Sequence, residues 1–234
     1  YTIVSIFVNP TQFTQNEDLS TYPKPLEKDS TLLKAFKVDA IFLPTNEIMY
    51  PEGFSTFVNE EILSRELEGK SRPSFFKGVT TIVAKLFNIV NPTHTFFGEK
   101  DAQQLRVIQK MVSDLNSSIQ IISCSTVREK SGLAMSSRNE YLSAESRQSA
   151  YIIYKGLKHG LSLLKNGERN PDVIREEITK IFQLEPLAKV DYISISDNIS
   201  LEEINGEIAG DILISTAVYI DDIRLIDNIT YSSD

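Results

Sequence analysis

The chain has 234 residues, 41% hydrophobic and 24% charged, which is enough apolar residue for one large or two smaller cores and excludes disorder throughout. Its 24 basic and 32 acidic residues give a net charge of −8, which argues against nonspecific nucleic-acid binding, because phosphate neutralisation needs clustered cations and no basic stripe is present. A single cysteine allows no internal disulfide, no zinc-ligand spacing occurs, and no apolar run approaches the roughly 18 residues of a membrane span, so a cytoplasmic location is the expectation.

In chain order, Thr2–Val8 reads as a strand that stops at the turn Asn9-Pro10 and presents Gln12 just beyond it. A glutamine amide donates and accepts at once, so Gln12 suits a small hydroxy acid, although the same residues also describe an ordinary strand exit. Leu26 to Phe36 reads as a helix, Ala40–Leu43 as a strand and Glu60 to Leu67 as a further helix. Val79, Ile82, Val83, Leu86, Phe87 and Val90 form one apolar face on a helix beginning near Lys77, and that face is core.

Thr93–Phe97 is the next strand, and Leu105, Ile108, Met111, Val112 and Leu115 recur at helical spacing after it. Gly98, Lys100 and Asp101 therefore occupy a strand-to-helix junction, where open α/β sheets bind nucleotides. A cation there can hold phosphate oxygens beside unpaired backbone N–H groups, and a carboxylate can take ribose hydroxyls. A helix cap at Asp101 with Lys100 solvated fits the same residues. Ile119–Ser123 is another strand, and Cys124 beside it is expected as a small buried hydrophobe.

The loop Gly132 to Asn139 carries Ser136, Ser137 and Arg138, two hydroxyls and a bidentate donor able to grip a triphosphate, or else a surface turn before a helix capped by Ser143. That helix is expected from Ala144 to Lys165, ending at Asn166-Gly167, and a second begins at Asn170-Pro171. The β-rich runs Val190–Ser196, Ile212–Ile220 and Arg224–Ile229 follow, with Asp221-Asp222 as a hairpin turn. Alternating strands and helices followed by two helices and clustered strands predict an α/β fold: a mainly parallel sheet in residues 1–126 and a smaller α+β domain in 127–234. His94, at the end of a loop, and His159, on a lysine-flanked helix, are read as structural.

Taken together, SIFVNPTQF, NEDLSTYPK, MYPEG, EGKSRPSFFKGV, AKLFNIV, FFGEKDAQQL, TVREKSGLAMSSRNEYLS and RLIDNI resemble the pantothenate synthetase family along nearly the whole chain. The resemblance implies a Rossmann-like nucleotidyltransferase domain and a reaction in which ATP converts pantoate to pantoyl adenylate before β-alanine attacks to give pantothenate and AMP. It implies that Lys100 contacts the ATP phosphates together with Ser136, Ser137 and Arg138, these four being the catalytic set. It assigns the ribose to Gly98 and Asp101, the adenine to the backbone of Val127 and Met135, and pantoate to Gln12 and Gln104 with Phe7 and Asn9 nearby. Tyr22 and Arg72 match positions near the site, Mg²⁺ is expected on the phosphates, and a homodimer is expected. The family's His-x-Gly-His element has no counterpart in the sequence and is expected ahead of Tyr1. Phe75 stands where the family usually has histidine, and Ala102 where it usually has tyrosine. Another nucleotidyltransferase, or an inactive truncated nucleotide-binding fragment, are the competing readings.

Overall fold

The computed structural model describes residues 1–13, 19, 21–23 and 25–233. Most of the motif NEDLSTYPK, at positions 16–18, 20 and 24, lies outside the described residues. The chain forms two compact units, residues 1–95 with 107–121 and residues 96–106 with 122–234. This grouping differs from a single cut at 126, because the strand-to-helix junction at 96–106 clusters with the second unit.

The first unit opens with β1 (Ile3–Ser5), followed by α1 (Leu26–Ala35), β2 (Ala40–Phe42), α2 (Asn46–Met49), α3 (Glu68–Ser71) and α4 (Phe75–Val90). β1 and β2 pair in parallel, Ile3 opposite Ala40 and Ser5 opposite Phe42, and β1 ends soon after because the Asn9-Pro10 turn diverts the chain. The amphipathic spacing of α4 buries Phe76, Val79, Ile82 and Val83. Its threonines also tie the helix to the preceding segment: Thr80 Oγ1 donates to Val58 O at 2.7 Å, and Val58 N–H donates to Thr81 Oγ1 at 3.0 Å.

The helix expected over Glu60 to Leu67 does not form. The Glu60 carboxylate takes the N–H groups of Ile62 at 3.0 Å and Ser64 at 2.7 Å, a side-chain competition that leaves only a 3-10 turn at Leu63–Arg65. Leu67 then adopts φ +41°, which separates this turn from α3.

β3 (His94–Gly98), α5 (Ala102–Asp114) and β4 (Gln120–Cys124) follow, with β3 paired to β4. The expected mainly parallel sheet thus appears as two strand pairs among the described residues. Cys124 is exposed rather than buried, because it ends β4 while the half-buried residues of that strand are Ile121 and Ile122.

The second unit is larger in its core. α6 (Ala144–Ser149), α7 (Tyr151–Lys165) and α8 (Pro171–Phe182) precede the antiparallel sheet β5 (Ala188–Asp197), β6 (Ile212–Ile220) and β7 (Ile223–Tyr231), ordered β5-β6-β7. The single helix expected from Ala144 to Lys165 is divided at Ala150, where the Ile153 N–H bonds the Ala150 carbonyl three residues back instead of four. Ser143 and Asn170 cap α6 and α8 as expected. Ile153, Leu157, Ile174, Ile178 and Phe182 from the helices pack with Ile195, Ile212, Ile214 and Val218 from the strands. Asp221 turns the β6–β7 hairpin at φ +52°, and its carboxylate accepts a hydrogen bond from the Ser146 hydroxyl.

Candidate active site

In the first unit, Asn9 is the organising residue. It is 3% exposed, and its side-chain oxygen accepts from Thr11 N–H at 3.3 Å, Thr11 Oγ1 at 2.9 Å and Tyr50 OH at 2.8 Å. Its amide nitrogen donates to Gly78 O at 3.1 Å. Asn9 thereby caps the 3-10 turn Pro10–Gln12 and ties it to α4. Contact is close enough that a Cβ on Gly78 would stand 2.7 Å from the Thr11 carbonyl oxygen. Asn9 acts here as a brace whose polar atoms are engaged inside the protein.

Arg72 completes the frame by donating to the Gln12 carbonyl at 2.8 Å, while its guanidinium lies 3.9 Å from the centre of the Phe75 ring. Phe75 therefore supports the arginine by a cation–π contact. Phe7 approaches Tyr50 with ring centroids 6.4 Å apart. Burial pushes the Tyr50 phenol above its ordinary value, partly offset by the bonds to Thr11 and Asn9, so it stays a neutral donor.

In the second unit, Gly98 leads from β3 into a 3-10 turn at Glu99–Asp101 that continues into α5. Lys100 Nζ lies 3.1 Å from Asp101 Oδ1, with a lysine side chain 21% exposed. No side chain caps this turn from within. The amide of Asn228 on β7 donates to the carbonyls of this turn, to Glu99 O at 3.0 Å and Lys100 O at 2.7 Å. Ala102 is buried at the start of α5, and its carbonyl accepts from Arg106 at 2.8 Å. Arg106 also grips Asn198 through the backbone and side-chain oxygens; burial lowers its pKa, opposed by the Glu99 and Asp197 carboxylates. Gln104 lies half-buried on α5.

The loop bearing the serines begins as a tight hairpin. Met135 N–H donates to Val127 O at 2.9 Å, Arg128 bridges to Ala134, and Glu129 N–H reaches Leu133 O at 2.8 Å. Arg128 then forms a two-pronged ion pair with Asp227 of β7, at 2.6 and 3.0 Å, and also donates to Gly132 O and Asn228 O. Its guanidinium stacks 3.9 Å from the Tyr154 ring centre. Ser136 caps the following turn by accepting from Arg138 N–H at 3.3 Å, and Asn139 donates to Ala134 O and Glu129 Oε1.

Over residues 1–230 the chain matches the family model described as pantoate-beta-alanine ligase. It belongs to the pantoate–β-alanine ligase family. Among curated relatives, the pantothenate synthetase of Clostridium botulinum (strain 657 / Type Ba4) is 52% identical over 229 residues, covering 98% of this chain and 81% of that protein. The pantothenate synthetase of Acetivibrio thermocellus is 51% identical with the same coverage. The crystal structure of pantothenate synthetase from Thermus thermophilus superposes with a TM-score of 0.92 at 40% identity, covering 97% of this chain and 82% of that one. A Francisella tularensis pantoate-beta-alanine ligase, complexed with beta-gamma ATP and beta-alanine, gives a TM-score of 0.74 at 35% identity, covering 97% of this chain and 78% of that one.

Within this ligase fold, the second unit brings both expected nucleotide segments, the Lys100 turn and the 127–138 loop, onto one strand through Asn228 and Asp227. Phe7, Asn9 and Gln12 belong to the first unit and Gln104 to the second. Sequence reasoning did not single out Arg128, Asp227, Asn228, Asn139 or Tyr50. The available signal was the pair Asp227-Asn228 flanked by the apolar residues Leu225, Ile226 and Ile229, since a buried polar residue is the informative exception. His159, read as structural, stands 3.6 Å from Glu177, and His94 bonds the adjacent Thr93 hydroxyl.

Proposed function

We propose that this chain joins pantoate to β-alanine through a pantoyl adenylate, with ATP as the activating substrate. The observation that carries the reading is Lys100 in the 3-10 turn between β3 and α5, in a chain matched to the family over residues 1–230. A pantoate carboxylate oxygen attacks the α-phosphorus of ATP, the α–β phosphoanhydride bond breaks, and pyrophosphate leaves. The β-alanine amine then attacks the acyl carbon, the bond from that carbon to the AMP oxygen breaks, and the amine loses a proton to give the amide. The first step brings two anions together, so fixed cations and an in-line geometry are what the protein must provide.

In this reading Lys100, Ser136, Ser137 and Arg138 hold the phosphates and Asp101 takes ribose hydroxyls. Gly98 supports the same assignment. Its φ of −73° is open to any residue, and a Cβ there would meet no protein atom within 4 Å, so neither conformation nor packing calls for glycine. In this proposal the space left open there is where the ribose lies. Because Met135 N–H is already bonded to Val127 O, adenine contacts fall to the remaining backbone groups of Val127 and to the Met135 carbonyl. In the same proposal Gln12 and Gln104 are assigned to pantoate together with Phe7 and Asn9, and Asn9 also braces the Gln12 turn.

Mg²⁺ is expected on the ATP phosphates, where hard oxygen ligands and water suffice without a dedicated protein cage. Among the described residues no helix is long and apolar enough to cross a membrane. A cytoplasmic location and a homodimer belong to the same proposal, with a separate C-terminal domain from Val127. The test is Lys100→Ala, which should lower pantoate-dependent pyrophosphate release by roughly 10²–10³, the scale for one preorganised donor, with folding little changed. Near-normal release from that variant would defeat the assignment.

A further inference from the structure

We infer that Asn228, and through the neighbouring ion pair Asp227, are positioning residues for adenylation: one dipeptide of β7 fixes both phosphate-gripping segments. The inference rests on the ATP reading above and extends it to residues whose side chains hold the Arg128 guanidinium and the Glu99 and Lys100 carbonyls.

Successive side chains of a strand point to opposite faces, so adjacent residues can reach two different partners. Asp227 and Asn228 are 4% and 7% exposed, and each is spent on one loop. Asn228 directs its amide hydrogens at the carbonyls of Glu99 and Lys100, the two peptide groups that set the direction in which the lysine side chain leaves the backbone. Its amide oxygen could not serve there, because both partners are acceptors. Asp227 holds Arg128, and Arg128 closes the hairpin by taking the Gly132 carbonyl, so the segment entering Ser136–Arg138 is fixed to the same strand.

The Lys100 turn has no side-chain cap of its own. Without Asn228, the carbonyls of Glu99 and Lys100 would lose the donor that ties them to β7, and the lysine would sample orientations away from the transferring phosphate. Such a loss falls on the transition state more than on substrate binding, because misplacement of a charge matters most where charge develops.

The test is a mutant cycle on pantoate-dependent pyrophosphate release, using the wild type, Asn228→Leu, Lys100→Ala and the double variant. Asn228→Leu should lower kcat about 10- to 100-fold with pantoate KM changed less than about twofold. The double variant should be at most about threefold slower than Lys100→Ala alone, since residues acting as a unit are not additive. Asn228→Ser, which keeps one donor, carries the same cycle where leucine prevents folding. A kcat within about twofold of wild type, or losses that multiply independently in the double variant, would overturn the inference. Failure of the ATP reading would show differently, as a wild type or Lys100→Ala result that contradicts adenylation itself.

Discussion

The turn that presents Gln12 and the turn that presents Lys100 are both three-residue 3-10 turns, yet they are held in opposite ways. Pro10–Gln12 is capped by its immediate neighbour Asn9, which then reaches 69 residues along the chain to Gly78. Glu99–Asp101 has no such neighbour and is held by Asn228, 128 residues after Lys100. A local brace survives in short-range sequence signals, whereas a distant one is invisible until the strand that carries it is in place.

The sharpest way to break this contrast is Asp227→Ala. It would leave the Arg128 guanidinium, whose side chain is only 16% exposed, without its carboxylate. Removing one partner of a buried pair costs about 3–5 kcal/mol, so the thermal midpoint should fall by roughly 10 °C. A calorimetric shift under about 2 °C would show that β7 contributes little to the loop.

Gly78→Ala probes the other turn with a smaller effect. Alanine in a helix interior is normally better by about 1 kcal/mol, but the new Cβ would meet backbone and side-chain atoms of Thr11. Overpacking of this kind costs about 1–3 kcal/mol, so a net loss of about 1 kcal/mol and a weaker pantoate KM are expected, with ATP KM unchanged. A stabilised variant with normal pantoate KM would mean that the turn is free to move.

Tyr50→Phe should be the mildest. It removes one of the donors to Asn9 Oδ1 and leaves both Thr11 donors, at a cost of about 1 kcal/mol in chemical denaturation. No measurable change would show that Thr11 alone satisfies Asn9.

Much of the fold was legible from local pattern. The apolar period of α4, the Asn-Pro start of α8 and the β6–β7 hairpin about Asp221-Asp222 all follow from short-range chemistry. The errors arose where a side chain overrode the pattern, as when Glu60 captured two backbone N–H groups that a helix would have used. For the candidate site, the sequence singles out Lys100 and Asp101 at a strand-to-helix junction and Ser136–Arg138 in a polar loop as residue types suited to phosphate and ribose. It does not single out Arg128 and Asp227, because their roles depend on a pairing 99 residues apart that no periodicity encodes.

The reach from Lys100 to Asn228 also sets an order of events during synthesis. At about 5–20 residues per second, the ribosome needs on the order of ten seconds to move from one position to the other. During that interval β3 and α5 can form, since their contacts include near neighbours, while the turn between them lacks its donor. The proposed phosphate grip is therefore among the last features to mature, completed only when β7 docks beside β6, and a nascent chain has its nucleotide residues before it has the means to aim them.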